Sequence, residues 1–242
     1  MVNGVWITGR SLQSTLSSFA TNLVLVNDDE VFTVSLVGSA TYLRFRGRYL
    51  LCCSQHQLVG QDPERVSILH DDGSVAISSG GISYFGLSQD TDAYDIAVFD
   101  FTSAAAAHPF LKRRCFSLDE RPHANAAEET IAYIAAGYPS TAQNYDLAET
   151  RSIGLRRYSV TCRTSSTSGT DEAILELDPI EKPTVAIDGM SGGPVFRVSA
   201  DGLGFRVELG GMILQGGAGR LRVLRSELMF DFLTGVLNLR GF

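Results

Sequence analysis

Gly189-Met190-Ser191-Gly192-Gly193-Pro194-Val195-Phe196 is the stretch whose reading decides the rest of the chain. Glycines on both sides of a serine let the backbone turn tightly and leave N–H groups exposed at the turn. A serine hydroxyl needs a base before it can attack a carbonyl, and the oxyanion that develops needs donors aimed at it. Gly193-Pro194 then sends the chain straight into an apolar strand, which fixes the turn against a core. A plain glycine-rich surface turn has no need of that continuation, so Ser191 is read as a nucleophile.

Chain order limits its partners. Gly-Met-Ser-Gly-Gly also satisfies the nucleophile-elbow pattern of α/β-hydrolases, in which aspartate and histidine follow the serine. Here the histidines are His56, His70, His108 and His123, and all precede Ser191. The elbow is therefore rejected, and the base must come from the first half of the chain. His56 closes the run Tyr49-Leu50-Leu51-Cys52-Cys53-Ser54-Gln55-His56, where a strand entering a small-residue turn presents a base at a sheet edge. His70 adjoins Asp71-Asp72-Gly73 and reads as a hairpin-turn residue, while His108 and His123 lie in a proline-bearing linker. Asp95 opens Asp95-Ile96-Ala97-Val98-Phe99, a carboxylate placed immediately before a buried strand. From there it can accept His56 Nδ1–H, fix the tautomer and stabilise the imidazolium. Asp90 and Asp92 fall in a polar loop, and Asp100 lies on the strand opposite in facing to Phe99.

Outward from these segments the pattern is one of short strands with turn punctuation. Residues 31–37, 40–45 and 49–53 are β-branched or aromatic runs broken at Gly38 and Arg46-Gly47; 66–69, 74–78, 82–87 and 96–101 follow. Residues 103–125 read as a crossing linker. A second set covers 130–136, 155–163, 173–177, 194–198, 206–214 and 221–224. Residues 226–237 carry Leu228, Met229, Phe232, Leu233 and Val236 at helical spacing and predict a closing helix. Residues 11–25 read as a short N-terminal helix. The expected fold is all-β: two antiparallel six-stranded β-barrels with the active site between them and a C-terminal helix. The expected division is an N-terminal segment over 1–30, a first barrel over 31–115 and a second barrel with the helix over 116–242.

Composition excludes several classes. With 44% apolar and 19% charged residues the chain is ordinary globular material. A formal charge of −7 argues against a nucleic-acid binder. No apolar run is long enough to span a bilayer, so no membrane partner is expected. The N-terminal residues lack an export pattern. Cys52, Cys53, Cys115 and Cys162 form no disulfide framework and have no metal-ligand spacing, which predicts a reduced, cytoplasmic setting and no metal or other cofactor.

Together the three segments resemble the trypsin/chymotrypsin-like serine peptidase family, over most of the chain from Val31 to Leu237. That family places its histidine in a small-residue turn after a strand, opens an Asp-Ile-Ala-hydrophobic strand with its aspartate, and sets its serine in Gly-x-Ser-Gly-Gly-Pro. His56, Asp95 and Ser191 match in kind and in order. Ala135-Ala136-Gly137-Tyr138-Pro139 and Gly211-Met212-Ile213-Leu214-Gln215-Gly216-Gly217 are further partial matches. The resemblance implies a serine endopeptidase with a protein or peptide substrate, and an oxyanion hole from the N–H groups of Gly189 and Ser191. It also implies a specificity pocket lined by residues 184–189, 214–217 and 219–223. Val185 carries no acid there, so cleavage after Lys or Arg does not follow. Asp188, Arg220 and Arg222 are candidate rim charges, and Gly216 and Gly217 would let a peptide add as an extended strand.

The departures are specific. Gln57 stands where secreted relatives carry a cysteine paired across the turn. Met190 replaces the aspartate that pairs with a newly cut N-terminus, so that activation switch is absent, as in intracellular bacterial and viral relatives. Leu214 replaces a serine near the aspartate. Two rival readings remain at this level: a silent protease-fold module for peptide binding or scaffolding, and an esterase using the same serine. A cytoplasmic effector gated by an activating protein partner is a further expectation.

Overall fold

The first half of the chain builds one eight-stranded sheet from β1 (Ala20–Val26), β2 (Val34–Phe45), β3 (Arg48–Cys53), β4 (Val66–Leu69), β5 (Ala76–Ser78), β6 (Ile82–Tyr84), β7 (Ala97–Asp100) and β8 (Phe116–Ser117). Seven strands lie in the order β5-β4-β1-β2-β3-β7-β6, and β8 adds in parallel beside Leu43 and Arg44 of β2. The structure is a computed structural model. It describes residues 2, 3, 5, 7–29, 33–70, 73, 75–84, 95–118, 129–146, 152–166, 171–200, 204–217 and 219–239.

The second half closes on itself. β9 (Thr130–Gly137) is followed by a separate hairpin of β10 (Asn144–Asp146) and β11 (Ser152–Gly154). Then come β12 (Tyr158–Thr164), β13 (Ile174–Pro179), β14 (Pro194–Ala200), β15 (Phe205–Gly217) and β16 (Arg220–Arg225). The barrel order is β12-β13-β16-β15-β14-β9. Closure leaves no unpaired edge, and the strands alternate as a barrel wall requires. On β13, Leu175 and Leu177 enter the core with Val160, Ile213 and Val223, while Glu176 between them does not.

Of the helices, α1 (Leu12–Ser17), α2 (Thr102–Ala107) and α3 (Pro109–Arg113) are short; α4 (Ser226–Leu239) closes the chain with Met229, Phe232, Leu233, Val236 and Leu237 buried, as the spacing predicts. No helix among the described residues is long and apolar enough to cross a membrane.

Four expectations change. The first unit has eight strands where six are expected. The N-terminal helix stops at Ser17, and Ala20–Val26 is a strand paired to both β2 and β4, so the segment assigned to 1–30 contributes to the first sheet. Gly38 does not interrupt a strand: β2 runs through it, and the register against β1 shifts between Leu23 and Val24, as at a β-bulge. The linker holds α2 and α3, and β8 within it rejoins the first sheet. Residues 119–125 of that linker, His123 included, lie outside the described residues, as do Asp90 and Asp92.

One apolar cluster runs across both halves. Phe19, just before β1, and Phe116 of β8 meet Phe196 of β14, with ring centroids 5.1 to 5.9 Å apart. Phe196 is fully buried, so Phe196→Ala removes a ring that no solvent can replace. A loss of about 3–5 kcal/mol in unfolding free energy is expected from urea titration. A loss under about 1 kcal/mol would mean that the seam repacks freely.

Candidate active site

β3 leads to the candidate base, His56. After Cys53 the chain enters a single 3-10 turn, Gln55–Leu58, and His56 projects from it with 51% of its side chain exposed. Asp95 precedes β7, which pairs with β3 so that Cys53 lies opposite Ala97. That register brings the two residues together. Asp95 Oδ2 lies 2.6 Å from His56 Nδ1, and its Oδ1 accepts the backbone N–H of His56 at 2.9 Å. One carboxylate thus holds both the ring and the backbone of the same residue. Asp100, the rival, is spent elsewhere: it accepts the Thr102 N–H at the start of α2 and faces Arg48 at 3.8 Å. His70 and His108 both lie against the Phe110 ring.

The segment carrying Ser191, the candidate nucleophile, lies between β13 and β14. Met190 O accepts the Gly193 N–H at 2.9 Å, closing a four-residue turn whose third residue, Gly192, sits at φ +83°. Only glycine enters that region without strain. Each carbonyl from residue 188 to 193 has a donor. Ser140 N–H holds Asp188 O at 2.8 Å, Ser39 Oγ holds Gly189 O at 2.8 Å, and Ser39 N–H holds Ser191 O at 3.1 Å. Thr41 Oγ1 donates to Gly192 O at 2.8 Å, and the Ile213 N–H to Gly193 O at 2.8 Å.

A trans peptide sets its C=O and N–H on opposite sides. With the Asp188 and Met190 carbonyls tied back, the N–H groups of Gly189 and Ser191 are turned away from those donors. Neither has an acceptor among the described residues. Ser191 is half-buried, and its Oγ makes no hydrogen bond among the described residues, that of the His56 ring included. Such contacts are often long before substrate binds.

The remaining candidates distribute as follows. Leu214 is 2% exposed and belongs to the apolar cluster that includes Cys52, Ile96 and Val98, so it offers the base no hydroxyl. Gln215 and Gly217 are exposed and Gly216 half-buried at the end of β15, with Ile187 packed beneath Gly216. Val185 is half-buried and Asp188 exposed. Arg220 is paired with Glu176 at 3.1 Å and Asp178 at 3.0 Å, so its charge is already met. Hydrogen bonding from Ser165, then Arg220, lowers the Asp178 carboxyl from its ordinary range.

No thiol in the set competes as a nucleophile. All four cysteines are buried and in no disulfide, and burial pushes Cys52 and Cys162 up to about 12. Cys53 is raised by burial first and by the nearby charges of Cys52 and Asp95 after it. Thiols so raised carry almost no thiolate near neutral pH. No cluster among the described residues has the make-up of a metal site.

Sequence reasoning missed the residues that hold the loop: Ser39, Thr41, Gln57 and Ser140. Each is an ordinary polar side chain in its local sequence, and its partner lies far along the chain.

No protein-family model and no curated protein matches the sequence. Solved structures do. A mutant of human heparin binding protein shares 15% identity over 98% of this chain and 97% of its own, with a TM-score of 0.57. Human heparin binding protein itself gives 14% identity over the same shares and a TM-score of 0.56. The VesB protease of Vibrio cholerae gives 12% identity and 0.54, covering 93% of this chain and 65% of that one. With a closed six-stranded barrel, a companion sheet and a closing helix, the chain has the trypsin/chymotrypsin-like fold.

Proposed function

We propose that this protein is a serine endopeptidase that hydrolyses peptide bonds through an acyl-enzyme on Ser191. His56 takes the Ser191 proton as general base and returns it to the leaving amine, while Asp95 holds the imidazole in the tautomer that accepts at Nε2. The oxyanion of the tetrahedral intermediate forms against the N–H groups of Gly189 and Ser191. The observation that carries this reading is the arrangement of residues 188–193, whose carbonyls are all engaged while those two donors beside the serine have no acceptor. Donors held ready in advance need no reorganisation as charge develops, and each is worth about a hundred- to a thousand-fold in turnover.

In this reading the substrate is an extended peptide laid along Gln215–Gly217, where backbone pairing requires no particular side chain. Four cysteines in no disulfide suit a reduced, cytoplasmic setting. A gating partner would have no work to do at the oxyanion loop, since its donors are already presented.

The test is covalent. A serine-directed fluorophosphonate probe should label Ser191 in the folded chain, and His56→Ala should slow labelling by at least a thousandfold. A folded chain that the probe leaves untouched would favour the silent peptide-binding module.

A further inference from the structure

We infer that Gln57 is a positioning residue that locks the turn carrying His56 to the loop carrying Ser191; the inference rests on the proposed peptidase reading. The two ends of its amide do different jobs. Oε1 accepts the Ser54 N–H at 2.9 Å, within its own turn. Nε2 leaves that turn and donates to Ser191 O at 2.9 Å, 134 residues later in the chain, and to Ser39 O at 3.3 Å.

The place it occupies is shaped for it. A Cβ on Gly38 would collide with Gln57 Nε2, and a Cβ on Gly192 would lie 2.8 Å from Gln57 Oε1 and strike Ser39 O. Two glycines, Gly38 on β2 and Gly192 in the turn after Ser191, therefore leave the slot that the amide fills. Neighbouring Cα atoms are about 3.8 Å apart, so His56 and Gln57 move together. A side chain anchored one residue from the base and bonded to the nucleophile's own carbonyl sets how far apart base and nucleophile stand. In reactions that depend on near-attack geometry, a displacement of about 1 Å costs about a hundredfold. Peptide docking at Gln215–Gly217 does not involve this amide.

Gln57→Ala should slow Ser191 labelling and peptide turnover by about 10- to 100-fold, with KM within about twofold of the parent. Gln57→Glu is the sharper variant, because its carboxyl keeps an acceptor for Ser54 N–H. Protonated, it also donates to Ser191 O; ionised, it sets a negative oxygen against the Ser39 and Ser191 carbonyls. Facing the Ser39 and Ser191 carbonyl oxygens in a half-buried slot, that carboxyl should hold its proton above the ordinary glutamate range near 4.3, so the ratio of parent to Gln57→Glu labelling rates should be small at pH 5 and widen as pH rises to 9. Hydrogen exchange of the peptide covering residues 189–193 should quicken in Gln57→Ala.

A constant ratio across pH, or KM rising with kcat unchanged, would reduce Gln57 to a cap for its own turn and overturn the inference. Parent-like labelling together with parent-like exchange in Gln57→Ala would do the same. If the parent itself is not labelled, the peptidase reading fails, and the exchange comparison still decides whether Gln57 holds the loop.

Discussion

Ser191→Ala should lower turnover of a peptide amide by about a millionfold while leaving the unfolding midpoint almost unchanged. The two halves of that expectation come from different observations. Ser191 Oγ has no hydrogen bond among the described residues, so its removal strands no buried partner. The backbone of the loop is held by donors from Ser39, Thr41 and Ser140, none of which touches the hydroxyl. Loss of the nucleophile alone costs on the order of 10⁶ in kcat in a comparable triad, and the remaining donors sustain about 10³–10⁴ over water. Steady-state hydrolysis beside urea unfolding checks both. A variant retaining more than a tenth of parental turnover would remove Ser191 from the chemistry.

Asp95→Asn should cost about 10⁴ in kcat with little change in fold. The asparagine carbonyl can keep the His56 backbone N–H that Oδ1 now accepts at 2.9 Å. Its NH₂ then faces Nδ1, where the carboxylate now lies at 2.6 Å. An amide that donates to Nδ1 forces the ring proton onto Nε2, and a ring protonated there cannot accept from serine. Fluorophosphonate labelling should fall in step with turnover, and the Nδ1–H resonance should vanish from the proton spectrum. If turnover stays within tenfold of the parent, Asp95 does not set the tautomer.

The two turns and the strand that form the site were legible because each is a local pattern. Ser54-Gln55-His56, Asp95-Ile96-Ala97 and Gly189–Pro194 carry their own geometry in consecutive residues. β1 was not legible, for a physical reason. All its residues but Val26 are buried, so no alternation marks a strand. Its buried Asn22 looks like a polar helix position, yet its amide exchanges two hydrogen bonds with the Leu69 backbone, at 2.8 and 3.1 Å. Gly38 reads as a break because a lone glycine in a strand weakens it. Its reason is the amide of Gln57 across the seam, which nothing in residues 34–45 announces. Long-range polar fits of this kind require the fold before they can be seen.

The loop around Ser191 is held from the other half of the molecule, and that has a consequence during biosynthesis. Ser39 and Thr41 on β2 grip carbonyls that come 150 and 151 residues later. A ribosome presents the base and its clasp long before the nucleophile has been translated, and a nascent or clipped chain holds only one side of the grip. Under the proposed function, hydrolytic power is postponed until both halves have docked. Self-digestion of unfinished chains is then avoided by the order of manufacture.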